Sequence, residues 1–141
     1  MRLAIAALAL LIASPAFASE EQVYADIENI HGNADGFFEL FSDVQQASTY
    51  NPVDFAAFAI YPLTINANGE TYDILSQQDF EDNFDTLVTQ ETIDGVASQD
   101  VDDLIVTSEG VGLANGAMWI TNVCLDDSCA DTQWGIFSIN N

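Results

Sequence analysis

The stretch LIVTSEGVGLANGAMWITNVCLDDSCADTQWGIFSINN, residues 104–141, reads as a meander of β-strands. Apolar, β-prone runs recur over 104–107, 111–114, 117–124 and 133–139. Turn residues separate them at Glu109-Gly110, at Asn115-Gly116 and between Cys124 and Cys129. Period-2 alternation puts Met118, Ile120 and Asn122 on one face of a strand and Trp119 and Thr121 on the other. Alternation alone leaves open which face meets the core.

Upstream the period changes to that of a helix. Val23, Ile27 and Ile30 share a face over 20–31, and Gly32 is suited to stop it. Asn33 is placed to cap a second helix whose stripe is Phe37, Leu40, Phe41 and Val44. A short helical face follows at Phe55, Phe58 and Ala59, and Tyr61-Pro62 reads as its end. Asn68-Gly69 between the apolar runs 63–67 and 71–75 is a strong hairpin signal. Ser76 with Asp79 then resembles a capping box for a helix buried through Phe80, Phe84 and Leu87. A further helix carries Ile93, Val96 and Ala97. Helices first and antiparallel strands second predict an α+β fold, with helices packed on one side of a curved, mostly antiparallel sheet.

Residues 1–18, MRLAIAALALLIASPAFA, have the parts of a cleaved signal peptide: Arg2, an apolar run, Pro15, and Ala16-Phe17-Ala18 as the cleavage site. The apolar run is too short to span a bilayer. This predicts a periplasmic or secreted product with one domain over 19–141 and no membrane insertion. Cys124 and Cys129 are then expected to pair as a hairpin cross-link. A ring that small is worth about 2 kcal/mol by chain entropy.

Charge excludes more than it assigns. The chain has 23 Asp and Glu, one His, and a single basic residue, Arg2. Without that leader no Lys or Arg remains. Nucleic acids and anionic membranes would be repelled. Schiff-base chemistry lacks its lysine, and anionic substrates lack a clamp. Nothing marks a nucleophilic serine. His31, the sole imidazole, sits at a helix end and reads as a cap that meets free carbonyls and the helix dipole. Asp126, Asp127 and Asp131, in the cysteine loop, are the best-ordered candidates for weak calcium binding, but they do not match a calcium-loop pattern. No cofactor is expected.

Tyr61-Pro62-Leu63 leads into a first strand, Gly110-Val111 precedes Asn115-Gly116, and Trp119 sits on the strand that follows. With Cys124, Cys129 and Trp134-Gly135-Ile136, these motifs resemble small exported bacterial proteins of the nuclear-transport-factor-2-like (cystatin-like, SnoaL-like) superfamily, over roughly residues 33–141. The resemblance implies a cone-shaped α+β fold whose interior is the default pocket. Tyr61, Tyr72, Asn115, Trp119, Asn122 and Trp134 fall near that sheet and are the candidate ligand-binding residues. Core packing is the rival role for the tryptophans. The superfamily holds enzymes as well as binding and dimerisation modules, so fold does not choose among them. The leading expectation is a non-catalytic exported domain that binds a small neutral or apolar ligand or a protein partner, with a homodimer as one form. One alternative is an isomerase- or dehydratase-like enzyme with a carboxylate base in the cone. The other is an acidic inhibitor of a basic envelope protein.

Overall fold

The first helix, α1 (Glu20–His31), begins where the Ser19 hydroxyl accepts the Gln22 N–H, and it ends at Gly32, whose φ is 71°. These coordinates belong to a computed structural model that describes residues 19–141; the signal peptide expected over 1–18 lies outside the described residues. Asn33 takes a left-handed conformation (φ 50°) and caps α2 (Ala34–Tyr50) by accepting the Gly36 N–H. A short turn then leads to α3 (Phe55–Phe58).

β1 (Ala59–Ala67) starts earlier than the sequence reading placed it. Tyr61-Pro62 lies inside this strand as a cis peptide and does not mark the boundary between elements. Proline is tolerated there because the pairing of β1 with β6 is irregular between Ala59 and Thr64, so no ladder bond is missed. Asn68 and Gly69 both have positive φ, 56° and 76°, and form the tight turn into β2 (Glu70–Ile74). α4 (Gln77–Leu87) opens on Ser76, which accepts the Asp79 N–H, while the Asp79 carboxylate reaches back to the Leu75 N–H. α5 (Gln90–Ala97) is capped by Thr89. β3 (Ile105–Val106), β4 (Val111–Leu113), β5 (Met118–Cys124) and β6 (Thr132–Asn140) complete the chain.

Among the described residues, five α-helices pack on one six-stranded sheet of order β2-β1-β6-β5-β4-β3. All neighbours pair antiparallel except β1 and β6, which are parallel. The register fixes the two faces. Met118 opposes Ile139, Ile120 opposes Ile136, and Val111 opposes Ile120; all of these are buried. They meet Phe37 of α2, Phe55 of α3 and Phe80 of α4, each fully buried. Leu63, Ile65 and Leu113 extend the same inward layer. The space between sheet and helices is therefore filled by side chains.

The cysteines pair as expected. The Cys124–Cys129 disulfide has Cα atoms 4.7 Å apart and closes the loop between β5 and β6, next to the Cys124–Thr132 strand pair. No described helix is long and apolar enough to cross a membrane.

Candidate functional site

Helices cover only the inward face of the sheet. On the opposite face, Ile60, Thr64, Trp119, Thr121, Val123 and Ser138 stay half-buried, whereas the inward Leu63, Ile65, Met118, Ile120 and Ile139 are buried. Glycines lie under the large side chains of this outer surface. A Cβ at Gly112 would come 3.1 Å from the Trp119 ring, and one at Gly135 would come 2.5 Å from Ile60 Cγ1. One at Gly110 would come 3.0 Å from Phe137 Cε1. Phe137 is the extra residue of a bulge: Ser138 faces Trp119, while Ile136 already faces Ile120.

The outer face is also nearly free of charge. The six strands hold two of the 23 acidic residues, Glu70 and Asp73, both on the edge strand β2. Asp73 pairs with Thr64 and so shares the outer face; Glu70 pairs with Ala67 and belongs to the inward one. The other acidic residues lie on helices and loops. The rest of the outer face mixes Ile60, Trp119, Val123 and Phe137 with uncharged polar residues such as Thr64, Thr121, Gln133 and Ser138; an aromatic-bearing face with one strand carboxylate, on a chain this acidic, has the composition of a contact surface.

The six residues singled out from the sequence do not converge on one pocket. Trp119 lies on the outer face, where its indole N–H donates to the Gly116 carbonyl at 2.9 Å. Trp134 and Asn122 oppose each other on the inward side. The Trp134 indole donates to the Asn33 carbonyl at 2.9 Å, and Asn122 Nδ2 donates to the His31 carbonyl at 3.2 Å. His31 Nε2 in turn donates to the Thr107 carbonyl at 2.7 Å. The imidazole thus ties the end of α1 to the loop after β3, and does not cap its own helix as the sequence suggested. These bonds latch the α1–α2 turn onto the sheet. Asn122 Oδ1 is left buried without a partner, an uncompensated acceptor that costs stability.

Asn115 sits in a left-handed turn (φ 56°) on the rim of a polar depression of about 240 Å³ with Thr89, Thr92 and Asn140. Asn141 contributes to its wall, where its side-chain oxygen accepts from the Thr89 N–H at 2.9 Å and the Thr92 hydroxyl at 3.0 Å. The amide is spent on holding α5 to the sheet. The Tyr72 hydroxyl donates to Glu70 at 2.9 Å, and that bond raises its pKa above the ordinary tyrosine value.

Tyr61 donates to the Ala56 carbonyl at 2.6 Å, and burial, aided by the nearby Glu81 carboxylate, pushes its pKa up to about 12. Its neutral form is the folded one. Its contribution to stability is therefore complete below pH 10, the unfolded value, and is lost as pH rises through about 12. In an alkaline absorbance titration Tyr61→Phe should remove the phenolate step near pH 12. Retention of that step in the variant would assign it to another tyrosine.

In the cysteine loop, Asp126 Oδ1 accepts from the Ser128 hydroxyl at 2.8 Å and the Ala130 N–H at 3.1 Å. These bonds, the serine first, hold its carboxyl below the usual range. Among the described residues no group of three or more His, Cys, Asp or Glu is gathered for a metal, so Asp126, Asp127 and Asp131 are not brought together as a ligand set. No Asp or Glu of the chain is buried.

No protein-family model matches this chain, and neither a curated protein nor a solved structure matches it.

Proposed function

We propose that this is a non-catalytic, exported binding domain of the cone-shaped nuclear-transport-factor-2-like type, and that it works by docking a protein on the outer face of its sheet. One observation carries the reading: the outer face around Trp119, Thr121 and Phe137 mixes aromatic and aliphatic side chains with short uncharged polar ones and holds a single strand carboxylate, Asp73. A small-ligand role has less support, because the layer between sheet and helices is occupied by fully buried Phe37, Phe55, Phe80, Met118 and Ile120. The carboxylate-base enzyme needs an Asp or Glu in an apolar pocket, and none is buried. Export to the periplasm or beyond is supported by the leader and by a disulfide suited to an oxidising compartment.

Photo-crosslinking tests the reading. A photoreactive side chain at position 121, on the outer face, should give adducts with a polypeptide in the host envelope. The same group at position 82, exposed on α4, should give none. Adducts from position 82 alone, or from neither position, would overturn the proposal.

A further inference from the structure

We infer that the helical layer carries a binding site for a small quaternary ammonium cation, in the depression of about 390 Å³ walled by Tyr24, Phe38 and Val101 and rimmed by Glu20 and Glu21. The site is made by α1, α2 and the turn after α5, so it stands apart from the docking face on the sheet.

Its walls are in place before any ligand arrives. Tyr24 and Phe38 stack with ring centroids 5.9 Å apart and planes 6° from parallel. Phe38 is braced in edge-on contacts by Phe37 at 5.2 Å and by Phe41 at 6.5 Å, which tie it to the core. The Tyr24 hydroxyl donates to Asp35 Oδ1 at 3.0 Å, which fixes the other ring. Preorganised walls spare a ligand the cost of ordering them. Tyr24 is nevertheless 39% exposed, so an arriving molecule can reach its ring.

Charge selects a cation. Glu20 and Glu21 lie one helical turn before Tyr24 and share its side of α1. The chain 19–141 has no Lys or Arg to neutralise them, and His31, at the far end of α1, is bonded to Thr107. The hydrogen bond to Asp35 draws the Tyr24 phenol toward phenolate and raises its pKa, with burial and the charges of Asp35 and Glu28 adding to it. A ring made richer in electrons in this way attracts a cation over its face. An anion would be repelled by the same groups.

The type of cation follows from what the walls lack. A metal ion needs several oxygen ligands, and among the described residues no group of three or more His, Cys, Asp or Glu is gathered. A primary ammonium brings three N–H donors that need acceptors, and the rings of Tyr24 and Phe38 and the side chain of Val101 offer none. A quaternary ammonium carries its charge behind methyl groups. It can lie against apolar walls without losing hydrogen bonds while the rim carboxylates answer its charge. So open a site binds weakly, with a dissociation constant of about 1–10 mM. The cation therefore exchanges freely and is not carried through purification.

Titration of the chain 19–141 with choline, followed by nuclear magnetic resonance and held at constant ionic strength with NaCl, tests this. The aromatic signals of Tyr24 and Phe38 should shift and saturate. The neutral isostere of choline, with a quaternary carbon in place of the nitrogen, should bind roughly 10-fold more weakly. Tyr24→Leu, which keeps an apolar wall and removes the ring, should weaken choline binding by roughly 10-fold. Glu20→Gln combined with Glu21→Gln should weaken it by roughly 3-fold. Both glutamates are exposed, so this second variant guards against a folding defect in the first. Equal binding of the isostere, shifts that fail to saturate or that spread evenly over the acidic surface, or choline binding undiminished in either variant would overturn the inference.

Discussion

Phe37→Ala lowers the melting temperature by roughly 10–20 °C, the equivalent of a loss of about 3–5 kcal/mol for a fully buried aromatic. Phe37 is completely buried. Its ring centroid lies 5.2 Å from Trp134 in an edge-on contact, 5.2 Å from Phe38 and 5.8 Å from Phe41. Removing it opens a hole where α2 meets the sheet, and the indole of Trp134, anchored through its N–H to the Asn33 carbonyl, is not free to collapse into it. Phe38 is only half-buried, so Phe38→Ala should cost distinctly less. Thermal denaturation followed by circular dichroism measures both. A loss below about 1 kcal/mol for Phe37→Ala would mean that the layer is a wet pocket instead of a packed core. That result would return the small-ligand reading to first place.

Ionic strength gives the second large effect. Raising NaCl from about 0.01 M to about 0.5 M should raise the melting temperature of the chain 19–141 by an amount on the order of 10 °C. The folded state concentrates 23 carboxylates around one core with His31 as the only ionisable base among the side chains of 19–141. No Lys or Arg pairs with them, so compaction is opposed by repulsion that salt screens. Loss of ion pairs to salt, which limits such gains in ordinary proteins, has almost nothing to act on here. A melting temperature independent of salt would contradict the account of self-repulsion.

Much of the fold could be read locally. Val23 and Ile27 of α1, Phe37, Phe41 and Val44 of α2, and Phe80, Phe84 and Leu87 of α4 are buried as their spacing predicts, whereas Ile30 and Leu40, read into the same stripes, are exposed and half-buried. Asn68-Gly69 forms its hairpin, and Cys124 and Cys129 close theirs. These signals lie within a few residues of the structure they specify. What was not legible depends on distant chain. The parallel pairing of β1 with β6 joins Thr64 to Ser138, and nothing near either residue announces it. The early start of β1 was hidden by Tyr61-Pro62, because a proline reads as a boundary wherever the partner strand is unknown.

The candidate site was the least legible part, for a related reason. The alternation of Met118, Trp119 and Ile120 was plain, but its sense depended on which side the helices took. In β6 the buried side chains on the inward face, Trp134, Ile136 and Ile139, step by two and then by three, since Phe137 is bulged. Gly110, Gly112 and Gly135 look like isolated small residues until the register places Phe137, Trp119 and Ile60 over them. Charge clearance of the outer face likewise appears only after the strands are laid side by side. Of the polar residues chosen from the sequence, Asn115 sits in a turn, Tyr61 and Tyr72 bond to nearby Ala56 and Glu70, and Asn122 latches the strand to His31.

Native mass spectrometry of the protein purified gently from its own host's envelope tests the central claim most directly. The account predicts a complex of the chain with a second polypeptide and no retained small molecule, and a bare chain when Thr121→Asp is purified in the same way. A small organic molecule held equally by the wild type and by Thr121→Asp would contradict it, because such a ligand would have to occupy the interior between sheet and helices.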